Sequence, residues 1–349
     1  MKQVTCQLLL ACALMCMPFT KAWGSNAMKT KEKKETFRFG KIKENAVLKL
    51  SNDFGKITIA HWDKDEILLE RKQTINASTM ERAERMIESR IVEQKQTGNV
   101  YSFVQKKSLH TNTEQDNCSM KDEWMLYVPK DKLSFEIKNR FGDVNLTDRL
   151  NCRQLEVDVE FGGVYILEVH AEDECNVKVA HGSLNIGKAN KARVKTDFSN
   201  ADIVQVGRLD FSANFGNMDI RHMGSGNGNL SFSNFNVASL EKKMVISSCQ
   251  HGKINVSLAD GKSFDGLDIN STHTDIHLFL ADKMSAHYNL KAKFGDIKVR
   301  ANAHSTHRQE SGVDTGFVSS NSGYIGSNSR SKAQINISTE HAGITMRSK

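Results

Sequence analysis

Only two of the 349 residues are proline, so little interrupts a long series of strand ladders, from which proline would remove backbone donors. After residue 24 no apolar run approaches the length of a membrane span, which excludes a bundle of spanning helices. Cysteine is sparse. Cys6, Cys12 and Cys16 fall in the first 24 residues, leaving Cys118, Cys152, Cys175 and Cys249, too few for a disulfide-stapled scaffold. Their even number keeps disulfides open, but their unequal offsets from the repeat corners described below favour buried free thiols. Aromatic residues make up 7%, and 48 basic residues are interleaved with 41 acidic ones, so no basic groove with grouped stacking rings is present. Nucleic acid is therefore not an expected partner. Also missing are helical zinc-motif spacing and the Gly-Gly-x-Gly-x-Asp pattern of calcium β-rolls. The segment "GSGNGN" at 224–229 lacks the lysine and helix of a phosphate loop. We expect no cofactor, no metal site and no catalytic set.

What is abundant is repetition. "LKAKFGDIKV" at 290–299 alternates apolar and polar residues, meets Phe-Gly, and alternates again. Clear relatives centre on Phe54-Gly55, Phe141-Gly142, Phe161-Gly162, His181-Gly182, Phe215-Gly216, His251-Gly252 and Phe294-Gly295. Looser ones centre on Phe198-Ser199, Phe235-Asn236, His273-Thr274 and His341-Ala342. From Phe141 the steps are 20, 20, 17, 17, 20, 16, 22 and 21. A period of about twenty marks stacked repeats, because one unit cannot bury its own apolar face. The two-residue alternation makes each unit strand, corner, strand. The fold class is all-β: a β-solenoid, a single-stranded β-helix of ~20-residue coils. Glycine is expected to supply positive φ at the corner. Phe and His, sharing one slot, are expected to form an inward column.

Along the chain, residues 1–24 combine Lys2, an apolar stretch and small residues near Gly24, the pattern of a cleaved export signal. Its loss would lower the net charge from +7 to +5 by removing Lys2 and Lys21. Residues 25–36 are predicted to be a mobile polar leader and 37–349 the solenoid domain. Within it, Ser78 and Glu81 suggest a capping box. Met80, Ala83, Ile87 and Ile91 share a helical face, predicting an amphipathic helix over about 78–93 that covers a strand edge. The Ser-, Asn-, Gly- and His-rich stretch 302–331 is predicted to be a flexible excursion.

These features resemble the bacterial "putative adhesin" domain family, exported repetitive β-proteins common in the Bacteroidetes and the Firmicutes. The resemblance covers about residues 37–349. It is carried by "LKLSNDFGKITIAHWDKDEILLE", "MLYVPKDKLSFEIKNRFGDVNL", the run of Phe-Gly and His-Gly coils, and "SGYIGSNSRSKAQINISTEHAGITM". It implies a fold and a surface role and brings no catalytic residues.

Two chemical temptations remain. His181, His251, His273 and His341 occupy the Phe slot, which points to corner packing rather than metal ligation. Asp143, Asp219, Asp275 and Asp296 could gather on one outer face as in polysaccharide lyases, but three of them sit beside corners, where Asp caps turns. The expected protein is therefore a non-catalytic exported binding or scaffold protein of the periplasm, outer-membrane surface or exterior. Its expected ligand is a surface glycan or an envelope protein. The alternatives are a carbohydrate-active enzyme on the same fold and an envelope-sensing regulator.

Overall fold

The computed structural model describes residues 28–349 except 108–117, 131–132, 260–262, 302 and 311–316. The predicted export signal lies outside the described residues. The first half contains β1 (Lys29–Gly40), β2 (Ala46–Asn52), β3 (Lys56–Trp62), β4 (Glu66–Ala77), α1 (Met80–Glu88), β5 (Arg90–Thr97), β6 (Val100–Lys107), β7 (Ser119–Pro129), β8 (Leu133–Arg140) and β9 (Val144–Glu160). The second contains β10 (Gly163–Ala180), β11 (Ser183–Asp197), β12 (Asn200–Leu258), β13 (Gly266–Leu280), β14 (Ala286–Lys293), β15 (Ile297–Arg300), β16 (Ala303–Glu310), β17 (Val318–Ile325), β18 (Gln334–Glu340) and β19 (Ile344–Ser348).

Each coil leaves a corner along one arm, bends, and returns along a second arm to the next corner. Coils stack in parallel with like positions in register. On the leaving arm Val144 pairs with Val164 and Val164 with Leu184, and on the returning arm Val157 pairs with Val177 and Val177 with Val194. Register shifts between β9 and β10, at Ile166/Glu168 and Ala171/Glu174, mark where the coil bends. Alternate side chains point between the arms and are buried, so the apolar positions read from the sequence form one continuous core. The predicted β-solenoid is the observed fold.

The corner differs from expectation in two ways. Phe141, Phe161, Phe198, Phe215 and Phe294 are 42–52% exposed, so the column faces solvent rather than the core. Moreover, the glycine takes the positive φ at the first corner, Gly55 with φ 113°, whereas from Phe141 onward the left-handed conformation belongs to the aromatic residue. φ is 58° at Phe141, 55° at His181, 52° at Phe215 and 59° at His341. Left-handed backbone reverses the inside–outside alternation at the corner, which turns the ring outward although its apolar neighbours stay buried. Glycine follows for another reason, close approach. A Cβ at Gly162 would lie 2.0 Å from the carbonyl oxygen of Gly142 in the adjacent coil. Where Ser199 and Ser233 replace it, their hydroxyls turn inward onto Asp197 O (2.7 Å) and Ser231 O (2.8 Å).

One corner was misplaced by the spacing. Phe235 is wholly buried and stacks on Phe211 inside the core at 4.7 Å, whereas Phe232 holds the corner with φ 48°. The phrase Phe232-Ser233-Asn234 repeats Phe198-Ser199-Asn200 and would have located it.

Chain order and stack order part company at the ends. β18 and β19 insert between the coil of β13 and that of β14 and β15, placing His341 between His273 and Phe294. At the N-terminal end β3 pairs with β7, β7 runs antiparallel to β4, and β4 antiparallel to β1. Residues from Lys29 onward therefore form an edge strand, not a mobile leader. Thr36 and the rest of β1 pair residue for residue with β4, and alternating side chains find ion partners such as Glu84 for Lys31. The helix is shorter than predicted, Met80–Glu88. Thr79 rather than Ser78 caps it, its hydroxyl accepting from Arg82 N–H at 3.3 Å. Ala83 and Ile87 pack on Ile75 and Ala77, while Met80 is 43% exposed and Ile91 already belongs to β5. The predicted flexible excursion is, over its described part, the antiparallel hairpin β16–β17, which lies against β14.

Candidate functional site

The corner residues compose a continuous outer ladder. From Phe54 through Phe141, Phe161, His181, Phe198, Phe215, Phe232, His251, His273 and His341 to Phe294, successive rings lie 4.7–5.2 Å apart and within 19° of parallel. That spacing is the strand repeat, so the backbone sets it. The rings stack face on face and present only their edges to solvent. Each stack contributes about 0.5–1.5 kcal/mol, of the same order as the roughly 1–2 kcal/mol cost of a left-handed residue. The ladder therefore holds corners in register at little net gain. At the N-terminal end the Arg90 guanidinium covers the Phe54 ring at 4.5 Å. At the other end Phe317 meets Phe294 at 48° and 6.5 Å, which ends the parallel series.

Beside the ladder, on the outward positions of the leaving arm, lie columns of amides and carboxylates. Asn200 Oδ1 accepts from Asn217 N–H at 3.0 Å, and Asn234 Nδ2 donates to Asn217 Oδ1 at 3.0 Å. In the parallel column Asn236 donates to Asp219 at 2.6 Å and Asn255 to Asn236 at 2.6 Å. Asp219, read from the sequence as simply outward, belongs to this ladder. Next to it Tyr165, Asn185, Asp202, Arg221 and Asn236 line a trough of about 640 Å³. Tyr165 is 43% exposed and takes part in none of the ring stacks above, so part of its ring remains open to solvent.

The other acids of interest are spread along the stack. Asp143 accepts from Gly163 N–H at 2.8 Å and Asp275 from Gly343 N–H at 3.1 Å, each tying one coil to the next. Asp275 and Asp296 share a groove of about 1090 Å³ at the C-terminal end with His277 and Lys298. Burial, and then the nearby Lys253 charge, push His277 below its usual range, which favours neutral imidazole. Asp143 and Asp219 lie elsewhere on the stack, so the four acids do not converge. Cys152, Cys175 and Cys249 are buried free thiols and Cys118 is an exposed one. Burial pushes Cys152 and Cys175 up to about 12, so both are protonated and inert near neutral pH.

The sequence reading missed a buried charge cluster that closes the N-terminal end. Arg71 and Asp122 are fully buried and joined by Nη2–Oδ2 at 2.6 Å and Nε–Oδ1 at 3.0 Å. Asp122 also accepts from Trp124 Nε1 (3.1 Å) and Gln105 Nε2 (2.9 Å), and Arg71 donates to Glu35 and the Arg90 carbonyl, each at 3.0 Å. Gly55, with φ +113°, lies where a Cβ would be 1.9 Å from the Asp122 carbonyl oxygen. Apart from Trp124, two residues from Asp122, the partners are remote in sequence, which left little local signal to read.

The Toastrack DUF4097 family model matches residues 48–347, nearly the whole ladder from β2 to β19. The chain belongs to this family. The matched residues include the repeats, the inserted helix and the closing hairpin alike. Among solved structures, the chain is similar to a "putative adhesin" from Parabacteroides merdae at 10% identity and TM-score 0.40, covering 91% of this chain and 96% of that one. It is also similar to a "putative adhesin" from Bacteroides fragilis, at 11% identity and TM-score 0.32 over 91% and 97% of the two chains. A "putative lipid binding protein" from Parabacteroides distasonis has 12% identity and TM-score 0.38 over 70% and 96%. No curated protein matches.

Proposed function

We propose that this Toastrack protein is a non-catalytic, exported scaffold that binds a surface glycan through weak contacts distributed along the stack. The observation that carries the reading is the outward Asn and Asp ladder beside the trough that holds Tyr165. Amides and carboxylates at the strand repeat offer donors and acceptors to a hydroxyl-rich polymer, and the open Tyr165 ring offers an apolar platform. The aromatic corner ladder is less suited to stacking on sugars, because its ring faces are already used by one another. About ten steps of roughly 4.8 Å make the ladder on the order of 50 Å long, a shape suited to reach from an envelope.

Glycan-array binding by the purified protein tests the reading. Single changes such as Lys298→Ala should alter binding little, whereas joint replacement of Asn217, Asp219, Asn234 and Asn236 should weaken it progressively. Loss of a glycan-cleaving activity on Asp296→Asn, with the fold intact, would replace the scaffold by an enzyme working in the C-terminal groove. N-terminal sequencing of envelope protein should find cleavage near Gly24 or Ala27, and an intact Met1 there would remove export from the proposal.

A further inference from the structure

The C-terminal end of the solenoid is closed on one arm and open on the other. On the returning arm β14 is followed by β17 and then β16, so the sheet continues two strands past the last coil. On the leaving arm β15 pairs with β19 and has no second strand partner among the described residues. Because the Asp296 carbonyl accepts from Ile344 N–H, the backbone groups of Asp296, Lys298 and Arg300 face β19. Those of Ile297 and Val299 then face the open side.

The apolar core is unfinished at the same place. The equivalent inward pairs Ile57 and Ile59, Val144 and Leu146, Ile276 and Leu278, and Ile344 and Met346 are all buried. Ile297 and Val299 are only partly buried, and they border the 1090 Å³ groove between β15 and the hairpin. Outward on the same strand Lys298 and Arg300 are exposed and form no ion pair among the described residues.

We propose that this edge is a docking slot for an extended peptide segment of a partner protein, alternating apolar and acidic residues, which adds to β15 as a further strand. Its apolar side chains would cover Ile297 and Val299, its backbone would pair with theirs, and its acids would meet Lys298 and Arg300. A second copy of this chain fits poorly. Pairing β15 with itself opposes Lys298 and Arg300 to their own equivalents, and pairing it with β1 opposes them to an edge carrying five basic and two acidic residues. The slot does not depend on the glycan-binding reading, which rests on the outward amide columns.

The test is binding of a fluorescent peptide of four Glu-Val repeats to the purified full chain, by anisotropy. Saturable binding is expected, weakened at least tenfold by the pair Lys298→Glu and Arg300→Glu. That variant should instead take up a Lys-Val repeat peptide, which the unaltered chain rejects. A Glu-Val peptide N-methylated at alternate residues should lose binding, since a strand added to β15 needs its backbone donors. The proposal is overturned if the Glu-Val peptide does not bind saturably, if charge reversal leaves its affinity unchanged, or if the N-methylated peptide binds equally well.

Discussion

The two ends of this solenoid face the same physical problem, a stack that stops and leaves an apolar layer and a strand edge uncovered, and they solve it differently. At the N-terminal end both arms are extended, one by β7, β4 and β1 and the other by β6 and β5, while α1 packs beside β1 and β4. Charge is drawn inside, where Asp122 has enough donors to be stable without water. At the C-terminal end only the returning arm is extended, and the leaving arm ends on a four-residue strand bearing a cationic outer face. Short charged edges resist pairing with copies of themselves. One end is sealed by insertion of chain, and the other is left selective by charge.

The comparison can be broken first where the closed end is strongest. Asp122→Ala removes the buried, bidentate partner of Arg71 and leaves it the Glu35 carboxylate alone, and should cost about 3–5 kcal/mol by denaturant unfolding. A loss near zero would show that the cluster is not what closes that end. Ile57 and Ile297 hold the same position after their corners at opposite ends, one fully buried and one partly exposed. Ile57→Ala should cost roughly 2–5 kcal/mol and Ile297→Ala less than about half of that. Equal losses would mean that the β15 edge is covered.

Alkaline titration adds a probe of the interior between the ends. Folded Cys152 and Cys175 have raised pKa values, so the stability they lend is fully present below about pH 9 and is lost as pH rises toward 12. Each should contribute a slope of about 1.4 kcal/mol per pH unit within that window, which Cys152→Ala with Cys175→Ala removes. Phe215→Ala should cost about 1 kcal/mol, and Phe215→Gly no more, since glycine loses the stack but relieves the left-handed residue. A cost of several kcal/mol for both would return the ring to the core. Asp219→Ala, at the outward ladder, should change the melting temperature least of all.

The sequence by itself determined the repeat, the two-residue alternation, the buried apolar columns and therefore the solenoid. Each of these is a local pattern, reproduced in nearly every coil. It also showed most of the residues that share the corner slot, from Phe54 to His341, because equivalence between coils is a matter of spacing, although that spacing put Phe235 where Phe232 stands. Only the tertiary structure decided that this slot faces outward: the letters show the apolar positions changing parity across each corner, Leu290 and Ala292 before it and Ile297 and Val299 after it, but the left-handed φ at Phe141 or His341 decides which way the ring points. It likewise decided that Phe232, not Phe235, stands in the ladder, that Lys29–Thr36 join an edge strand, and that the last coil slides between two earlier ones. These outcomes depend on which strand finds which partner across dozens of residues. Pairing energy is collected between neighbours in space, so the order of coils in the stack follows from which edges remain to be covered.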